Sequence, residues 1–258
     1  MRLRTHPASF RQTSGDDGLT AFWWGPTGYP EIGQTVRVTE PFELTELRVG
    51  IHRASSLAGW RTASFDEIAW THDTLWTGTV PGVRIRVTIW PVEGRGGSTL
   101  DVAGIPAITE QYVTADAPVI GGLWASPESV RMRLATPVQL GAGHHLVSLG
   151  IDDIGRDPNV FNFYVLGSRY GFTDRTGFDR QGPALPCTYR VTPERYPEGR
   201  LYYRDFSARS KPTPLANATT VFREHRAKVL ASSLNDCGEE GSMDYMLPGD
   251  LELVMIGR

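Results

Sequence analysis

The chain has 258 residues, of which 40% are hydrophobic, 10% aromatic and 21% charged, and it contains 28 glycines and 18 prolines. This composition is typical of a turn-rich globular protein and excludes a disordered or coiled-coil chain. The formal net charge of -3 supplies no global basic field for a phosphate backbone, so we expect no nucleic-acid partner.

The N-terminal sequence MRLRTHPASFRQTSGDDG has two early arginines but lacks the apolar run of a secretory signal peptide. No stretch approaches the roughly 20 apolar residues of a membrane span, so we expect a soluble chain without a membrane partner. The location stays open, with an extracellular or virion location favoured over the cytoplasm and any export following another route.

Residues 1–32 are interpreted as an N-terminal aromatic arm, because FWWGPTGYP at 22–30 gathers four aromatic rings around a Gly-Pro-Thr-Gly turn. Cover of a sheet edge is the favoured interpretation, since an uncovered edge strand invites aggregation. Lining of a cleft and contact with a neighbouring subunit are the alternatives. Trp24 is the candidate ligand-binding residue of this arm.

Alternation of apolar and polar residues predicts a β-sandwich core over residues 33–167. Its clearest strands are GQTVRVTEPFEL, broken at Pro41, then TELRVGIHR, GVRIRVTIW, SVRMRLATPVQL, HLVSLGID and FNFYVLG. Their apolar positions share one face: Leu47, Val49 and Ile51; Val83, Ile85, Val87 and Ile89; Val130, Met132 and Leu134. Arg84, Arg86, Thr88 and Trp90 are expected on the solvent face, and Pro137 is expected to end its strand.

An insertion at 57–80 interrupts this core and combines tryptophans with carboxylates. Its candidate ligand-binding residues are Trp60, Asp66, Glu67, Trp70, Asp73 and Trp76. Aromatic rings stack on the apolar face of a sugar while carboxylates accept hydrogen bonds from its hydroxyls. A flap that packs its tryptophans inward is the simpler alternative. Catalysis by Asp66 or Glu67 is the third, because paired carboxylates can cleave a glycosidic bond.

Two further groups of residues contain side chains that can bind metal ions. Asp152, Asp153 and Asp157 lie close together in IDDIGRDPN, where hard oxygen ligands suit a structural calcium ion, although an ordinary Asp-rich turn is the favoured interpretation. His144 and His145 are adjacent in a strand, so they point to opposite faces and cannot chelate one ion together. No other cofactor is indicated.

Residues 168–258 are predicted to be a loop-rich elaboration that returns a final strand, DLELVMIG, to the sandwich. Arginines and tyrosines recur through 168–206, a composition enriched at protein interfaces, so a homo-oligomer or larger assembly is expected. A short helix over 219–234 is one of two interpretations of that segment. Cys187 and Cys237 are either one disulfide or two free thiols.

Together, eight or more short strands separated by turns predict an all-β, antiparallel β-sandwich with long loop insertions and at most one or two short helices. The succession GQTVRVTEPFELTELRVGIHRAS, GVRIRVTIWPVEG, SVRMRLATPVQLGAGHHLVSLGI and DLELVMIG resembles the jelly-roll accessory modules of bacterial extracellular proteins and phage tails, over about residues 33–167 and the last strand. That resemblance implies a jelly-roll-like sandwich and a non-catalytic, carbohydrate-binding protein with a glycan ligand. A structural or adhesion subunit of a virion is the alternative, and a glycan-active hydrolase or lyase is the third.

Overall fold

The computed structural model describes residues 1–5, 19–25, 30–56, 78–119, 128–153, 160–174, 189–192, 196–204, 215–217 and 246–258. These residues form fifteen strands and no helix. The strands are β1 (Arg2–Arg4), β2 (Leu19–Trp24), β3 (Glu31–Val38), β4 (Phe42–Ser56), β5 (Gly78–Val92), β6 (Thr99–Leu100), β7 (Thr109–Val119), β8 (Glu128–Leu140), β9 (Gly143–Asp153), β10 (Val160–Asp174), β11 (Tyr189–Thr192), β12 (Leu201–Arg204), β13 (Leu215–Asn217), β14 (Met246–Leu251) and β15 (Leu253–Gly257).

The strands pair into two antiparallel sheets. Sheet A has eight strands in the order β1-β15-β4-β10-β11, with β8 also paired to β4 and with β2 and β14 also paired to β10. Sheet B has seven strands in the order β6-β13-β12-β3-β9-β5-β7. The all-β antiparallel sandwich predicted from the sequence is therefore confirmed. Both sheets also include strands from outside residues 33–167, such as β1 and β2 from the N-terminal segment and β12 from the C-terminal one.

The main core lies between the sheets and is built by the predicted alternation. Side chains from β4, β5 and β8 that were assigned to the inner face are buried: Leu47, Val49, Val83, Ile85, Val87, Ile89, Val130, Met132 and Leu134. They form one cluster with inward-facing residues of β3, β9 and β15. Burial of branched and long apolar side chains of this kind contributes about 1.5–3 kcal/mol each, so this cluster is the main source of stability.

The prediction that Pro137 ends its strand is wrong. β8 continues to Leu140 and, among the strands that the structure describes, pairs only with β4, at the edge of sheet A. Proline lacks the amide proton that an inner strand requires, but an edge strand can leave that position unpaired. The irregular register between Leu44 and Glu46 of β4 absorbs the local mismatch opposite this stretch of β8.

Two residues expected on the solvent face also depart from expectation: Thr88 is buried, and Trp90 is half-buried on the outer face of sheet B. A second cluster covers this part of the face, with Leu146, Tyr202 and Leu215 fully buried. Trp90, Val92, Leu100 and Val102 pack against it. The Tyr202 hydroxyl donates to the carbonyl oxygens of Arg95 and Gly97, at 3.2 and 3.0 Å. Gly96 between them has φ +81° and faces that hydroxyl so closely that a Cβ would overlap it.

Amide side chains join the two sheets at two points. Gln34 of β3 donates from Nε2 to Asp250 Oδ1 at 2.9 Å and accepts from the Leu251 amide at 2.8 Å. Gln111 of β7 donates to the Thr136 carbonyl at 3.1 Å and accepts from the Thr136 amide at 3.2 Å. The Gln111 side chain thus takes the place of a peptide group and links edge strand β7 of sheet B to edge strand β8 of sheet A.

Candidate functional site

Most of the predicted site residues lie outside the described part of the chain. This applies to Trp60, Asp66, Glu67, Trp70, Asp73 and Trp76 of the insertion, to Asp157, to both cysteines and to the segment 219–234. Asp152 and Asp153 belong to the end of β9, but their side chains are not among those described. The roles predicted for all these residues stay predictions.

Trp24 is described, and it is a core residue. Its side chain is fully buried, and the indole N–H donates to the Leu149 carbonyl of sheet B at 3.0 Å. An indole in this position adds a large apolar area to the core and finds an acceptor for its one polar atom. The structure therefore corrects the ligand-binding role predicted for Trp24, because the ring has no exposed face.

A charged cluster lies on the outer face of sheet B, where the register sets Glu31 of β3 beside Gly150 of β9 and Arg204 of β12. Glu31 Oε2 accepts from Arg204 Nε at 2.8 Å and lies 3.7 Å from an Nη atom of Arg86. Glu31 Oε1 accepts from the Ser148 hydroxyl. Only 6% of the Glu31 side chain is exposed, against 20% for Arg204 and 32% for Arg86. The carboxylate is thus enclosed, while its arginine partners reach towards solvent.

The guanidinium group of Arg86 lies directly over the backbone of Gly150. A Cβ on Gly150 would approach an Nη atom of Arg86 to 3.0 Å and its Nε to 3.3 Å. With hydrogen in that place, the guanidinium group rests on the glycine backbone and turns towards Glu31. A buried carboxylate needs this kind of charged and hydrogen-bonding partner, because an unpaired charge is costly to bury.

An exposed aromatic ring borders the cluster. Tyr112 of β7 is the register partner of Arg86 and is 44% exposed. The guanidinium carbon of Arg84, two residues along β5, lies 4.1 Å from the centre of the Tyr112 ring. This distance is that of a cation–π contact. The Tyr112 ring, the guanidinium groups of Arg84 and Arg86 and the enclosed carboxylate together form a polar surface with an aromatic element.

The described residues show no metal centre. Within them, no group of three or more His, Cys, Asp or Glu side chains is placed to hold an ion. His145 is buried, with Nε2 2.9 Å from the Gly141 carbonyl, and His144 is half-buried on the opposite face of β9. This agrees with the expectation that the two histidines do not chelate together. The part of the chain that the structure describes contains no helix long and apolar enough to cross a membrane.

The sequence alone did not indicate the charged cluster around Glu31. Glu31 and Arg204 are separated by 173 positions, and nothing local in the sequence marks them as neighbours. The available signal was the outward placement of Arg84 and Arg86 in GVRIRVTIW, which the structure bears out for these two residues. Nothing in the sequence indicated a role for Tyr112, because the segment that contains it, TEQYVTADAPV, was not predicted to be a strand.

Comparisons with known proteins give no family for the chain. No family model matches it, and no curated protein matches it. A crystal structure of a protein from Sulfurospirillum deleyianum is 9% identical and covers 58% of this chain and 97% of its own, with a TM-score of 0.26. A likeness at that score carries no argument about fold or function.

Proposed function

We propose that the protein is a non-catalytic carbohydrate-binding β-sandwich. The observation that supports this function best is the surface formed by Tyr112, Arg84 and Arg86 on the outer face of sheet B. Sugars bind where an aromatic ring contacts their C–H groups and fixed polar groups contact their hydroxyls. Both elements are present here on strands, which hold side chains more rigidly than loops do.

The chemistry of Glu31 favours binding over catalysis at this surface. Its two oxygens already accept from Arg204 and Ser148, and Arg86 adds a second positive charge beside Oε2. A general acid or base must reach its substrate. The Glu31 side chain is only 6% exposed and both of its oxygens already have partners, so its role in the proposal is to position Arg86 beside the ring of Tyr112.

The test is a binding titration of the purified chain with neutral and acidic oligosaccharides, in which calorimetry measures the affinity. Tyr112→Ala is expected to weaken binding of a bound glycan about two- to tenfold, the range expected when an aromatic contact is removed. Tyr112→Phe keeps the ring and is expected to stay within about twofold of the wild type. Ile108→Ala is the matched control, because Ile108 is also exposed, at 39%, and immediately precedes the same strand.

Two outcomes would replace this proposal. A stable oligomer that binds no glycan would favour the structural or adhesion subunit of a larger assembly, such as a phage tail. Turnover of a glycan that is abolished by Asp66→Asn or Glu67→Gln would favour the enzyme. Binding that is equally lost in Tyr112→Ala and Ile108→Ala would remove Tyr112 as the basis of the proposal.

A further inference from the structure

A second surface, on the opposite side of the sandwich, is rich in arginine. It is the outer face of the β1-β15-β4-β8 part of sheet A, and we call it the arginine face. The register pairs Arg4 with Val254, Val254 with Arg48 and Arg48 with Arg131 in one row across the sheet. The neighbouring row pairs Arg2 with Ile256, Ile256 with Glu46 and Glu46 with Arg133.

The charges of this face do not cancel. Its described charged residues are six arginines and three glutamates: Arg2, Arg4, Arg48, Arg131, Arg133 and Arg258, and Glu43, Glu46 and Glu252. The excess of three positive charges stands on a chain whose total is -3. The face therefore carries a local positive field, although the protein as a whole has a negative net charge.

Several of these arginines are exposed to solvent. The side chains of Arg133 and Arg258 are 85% and 81% exposed, and Arg2 and Arg131 are also exposed. Arg48 pairs with Glu46, Arg133 lies 3.8 Å from the same carboxylate, and Arg258 lies 2.6 Å from Glu43. Arg2, Arg4 and Arg131 form no ion pair within the described part of the chain.

The arginines also repel one another. The pKa of Arg2 is lowered from its ordinary value, by desolvation and then by the positive charges of Arg4 and Arg48. Like charges held close together on a sheet cost free energy, and an anion laid between them relieves that cost. The Glu46 carboxylate opposes this shift.

The arrangement favours one class of anion. Guanidinium groups bind carboxylate and sulfate groups through two parallel hydrogen bonds, and of the 26 basic residues in the sequence only Lys211 and Lys228 are lysines. Arg4 and Arg48 are two strands apart, about 10 Å between backbones, whereas Arg48 and Arg131 are about 5 Å apart. Anionic groups spaced by neutral units can therefore meet these arginines in turn.

Other polyanions and partners fit less well. Duplex DNA carries one charge per roughly 1.7 Å of its axis, so Glu43 and Glu46 among the arginines would face closely spaced phosphates and repel them. The buried centre of a protein interface is typically more apolar than the rest of the surface. Among the described residues, the exposed large hydrophobic side chains are Met1, Ile108 and Tyr112, and only Met1 borders this face.

We infer that the arginine face binds a polysaccharide that carries carboxylate or sulfate groups separated by uncharged, hydroxyl-bearing positions. The binding is electrostatic and follows the rows of arginines across β1, β15, β4 and β8. It does not rest on Tyr112, which lies on the other sheet. It also specifies that the polysaccharide is anionic, whereas the proposed carbohydrate-binding function does not specify the charge of the ligand.

The experiment measures binding of the full chain to biotinylated hyaluronate, chondroitin sulfate, dextran and duplex DNA by biolayer interferometry at low and high salt. The variants are Arg131→Gln, Arg133→Gln and the double variant, all on exposed positions whose folding is checked by thermal unfolding. Arg37→Gln is the matched control. It removes one exposed arginine, 51% exposed and paired with Glu198, from outside the arginine face.

The expected result is that one or both anionic polysaccharides bind at least about tenfold more tightly than neutral dextran at low salt, and that high salt abolishes the difference. Each single variant is expected to weaken binding roughly threefold and the double variant about tenfold, while Arg37→Gln leaves it unchanged. Binding of hyaluronate alone assigns the site to carboxylates, and binding of chondroitin sulfate alone assigns it to sulfates. Tyr112→Ala is expected to leave this binding unaltered, so failure here and failure of the Tyr112 proposal are separate results.

Three results would overturn the inference. The first is DNA binding as tight as polysaccharide binding, which would indicate a dense polyanion. The second is an equal loss in Arg37→Gln and Arg131→Gln, which would indicate non-specific attraction. The third is self-association that Arg131→Gln abolishes without polysaccharide binding, which would make the face a contact between copies of the chain.

Discussion

Replacement of Glu31 by glutamine tests whether the charged cluster on sheet B is an energetic unit. The substitution keeps the volume of the side chain and removes its charge. The new amide can still accept from Arg204 with its oxygen and donate to the Ser148 hydroxyl with its nitrogen. What is lost is therefore the charge that neutralises Arg204 and Arg86, which are 20% and 32% exposed.

The magnitude follows from burial. Breaking a fully buried ion pair costs about 3–5 kcal/mol, whereas exposed pairs contribute about 0.2–1 kcal/mol. Glu31 is enclosed but its partners reach solvent, so we expect Glu31→Gln to lower the free energy of unfolding by about 2 kcal/mol. Glu198→Gln is the matched control, because its pair with Arg37 is 3.0 Å long but half-exposed on both sides. We expect that variant to lose less than about 0.5 kcal/mol.

Urea unfolding followed by tryptophan fluorescence measures both values. A double-mutant cycle with Arg204→Gln then isolates the coupling, for which we expect at least about 1 kcal/mol. If the losses from Glu31→Gln and Arg204→Gln simply add, or if Glu31→Gln costs no more than Glu198→Gln, the cluster does not act as a unit and the reasoning is refuted.

Two further predictions concern the links between elements. Gln111→Ala removes both hydrogen bonds to Thr136 and is expected to lower the free energy of unfolding by about 1 kcal/mol in urea titrations; an unchanged midpoint would show that the edges of β7 and β8 are held by other contacts. The pKa of Tyr196 is raised from its ordinary 10.0, chiefly by burial and also by the charges of Asp250 and Glu198, although the hydrogen bond from the Arg37 amide opposes the shift. The folded state thus keeps the phenol proton to a higher pH than the unfolded state does. The protonated Tyr196 side chain therefore stabilises the fold below pH 10, and this stabilisation declines as the pH rises through the folded pKa. Tyr196→Phe is expected to flatten that decline above about pH 10, and an identical pH profile in both proteins would contradict it.

The sequence predicted the fold class well because alternation is a local signal. Val83, Ile85, Val87 and Ile89 could be assigned to an inner face from nine consecutive residues, and the structure buries all four. The break at Pro41 was equally local, and it separates β3 from β4. Strands β1 and β2 were not recognised, since three residues and a short aromatic run carry little periodicity.

The described candidate sites could not be predicted in the same way. The neighbours of Glu31 come from three other strands, and only the pairing of β3 with β9 and β12 brings them together. The arginine face likewise depends on register, because Arg4, Arg48 and Arg131 line up only after β15 has been placed between β1 and β4. Trp24 shows the converse error, in which an aromatic residue in a turn-rich segment suggested a ligand but fills the core instead.

The position of β15 has a consequence for the order in which the molecule folds. Within the described residues β1 pairs only with β15, and β15 also provides one of the neighbours of β4. Residues 2–4 therefore have no strand partner until residues 253–257 have been synthesised. Pairings this distant in sequence close slowly, because the loss of chain entropy comes before the contacts that compensate for it. During translation, the side of β4 that β15 pairs with stays open until residues 253–257 have emerged, and an unpaired strand edge of this kind favours misassembly.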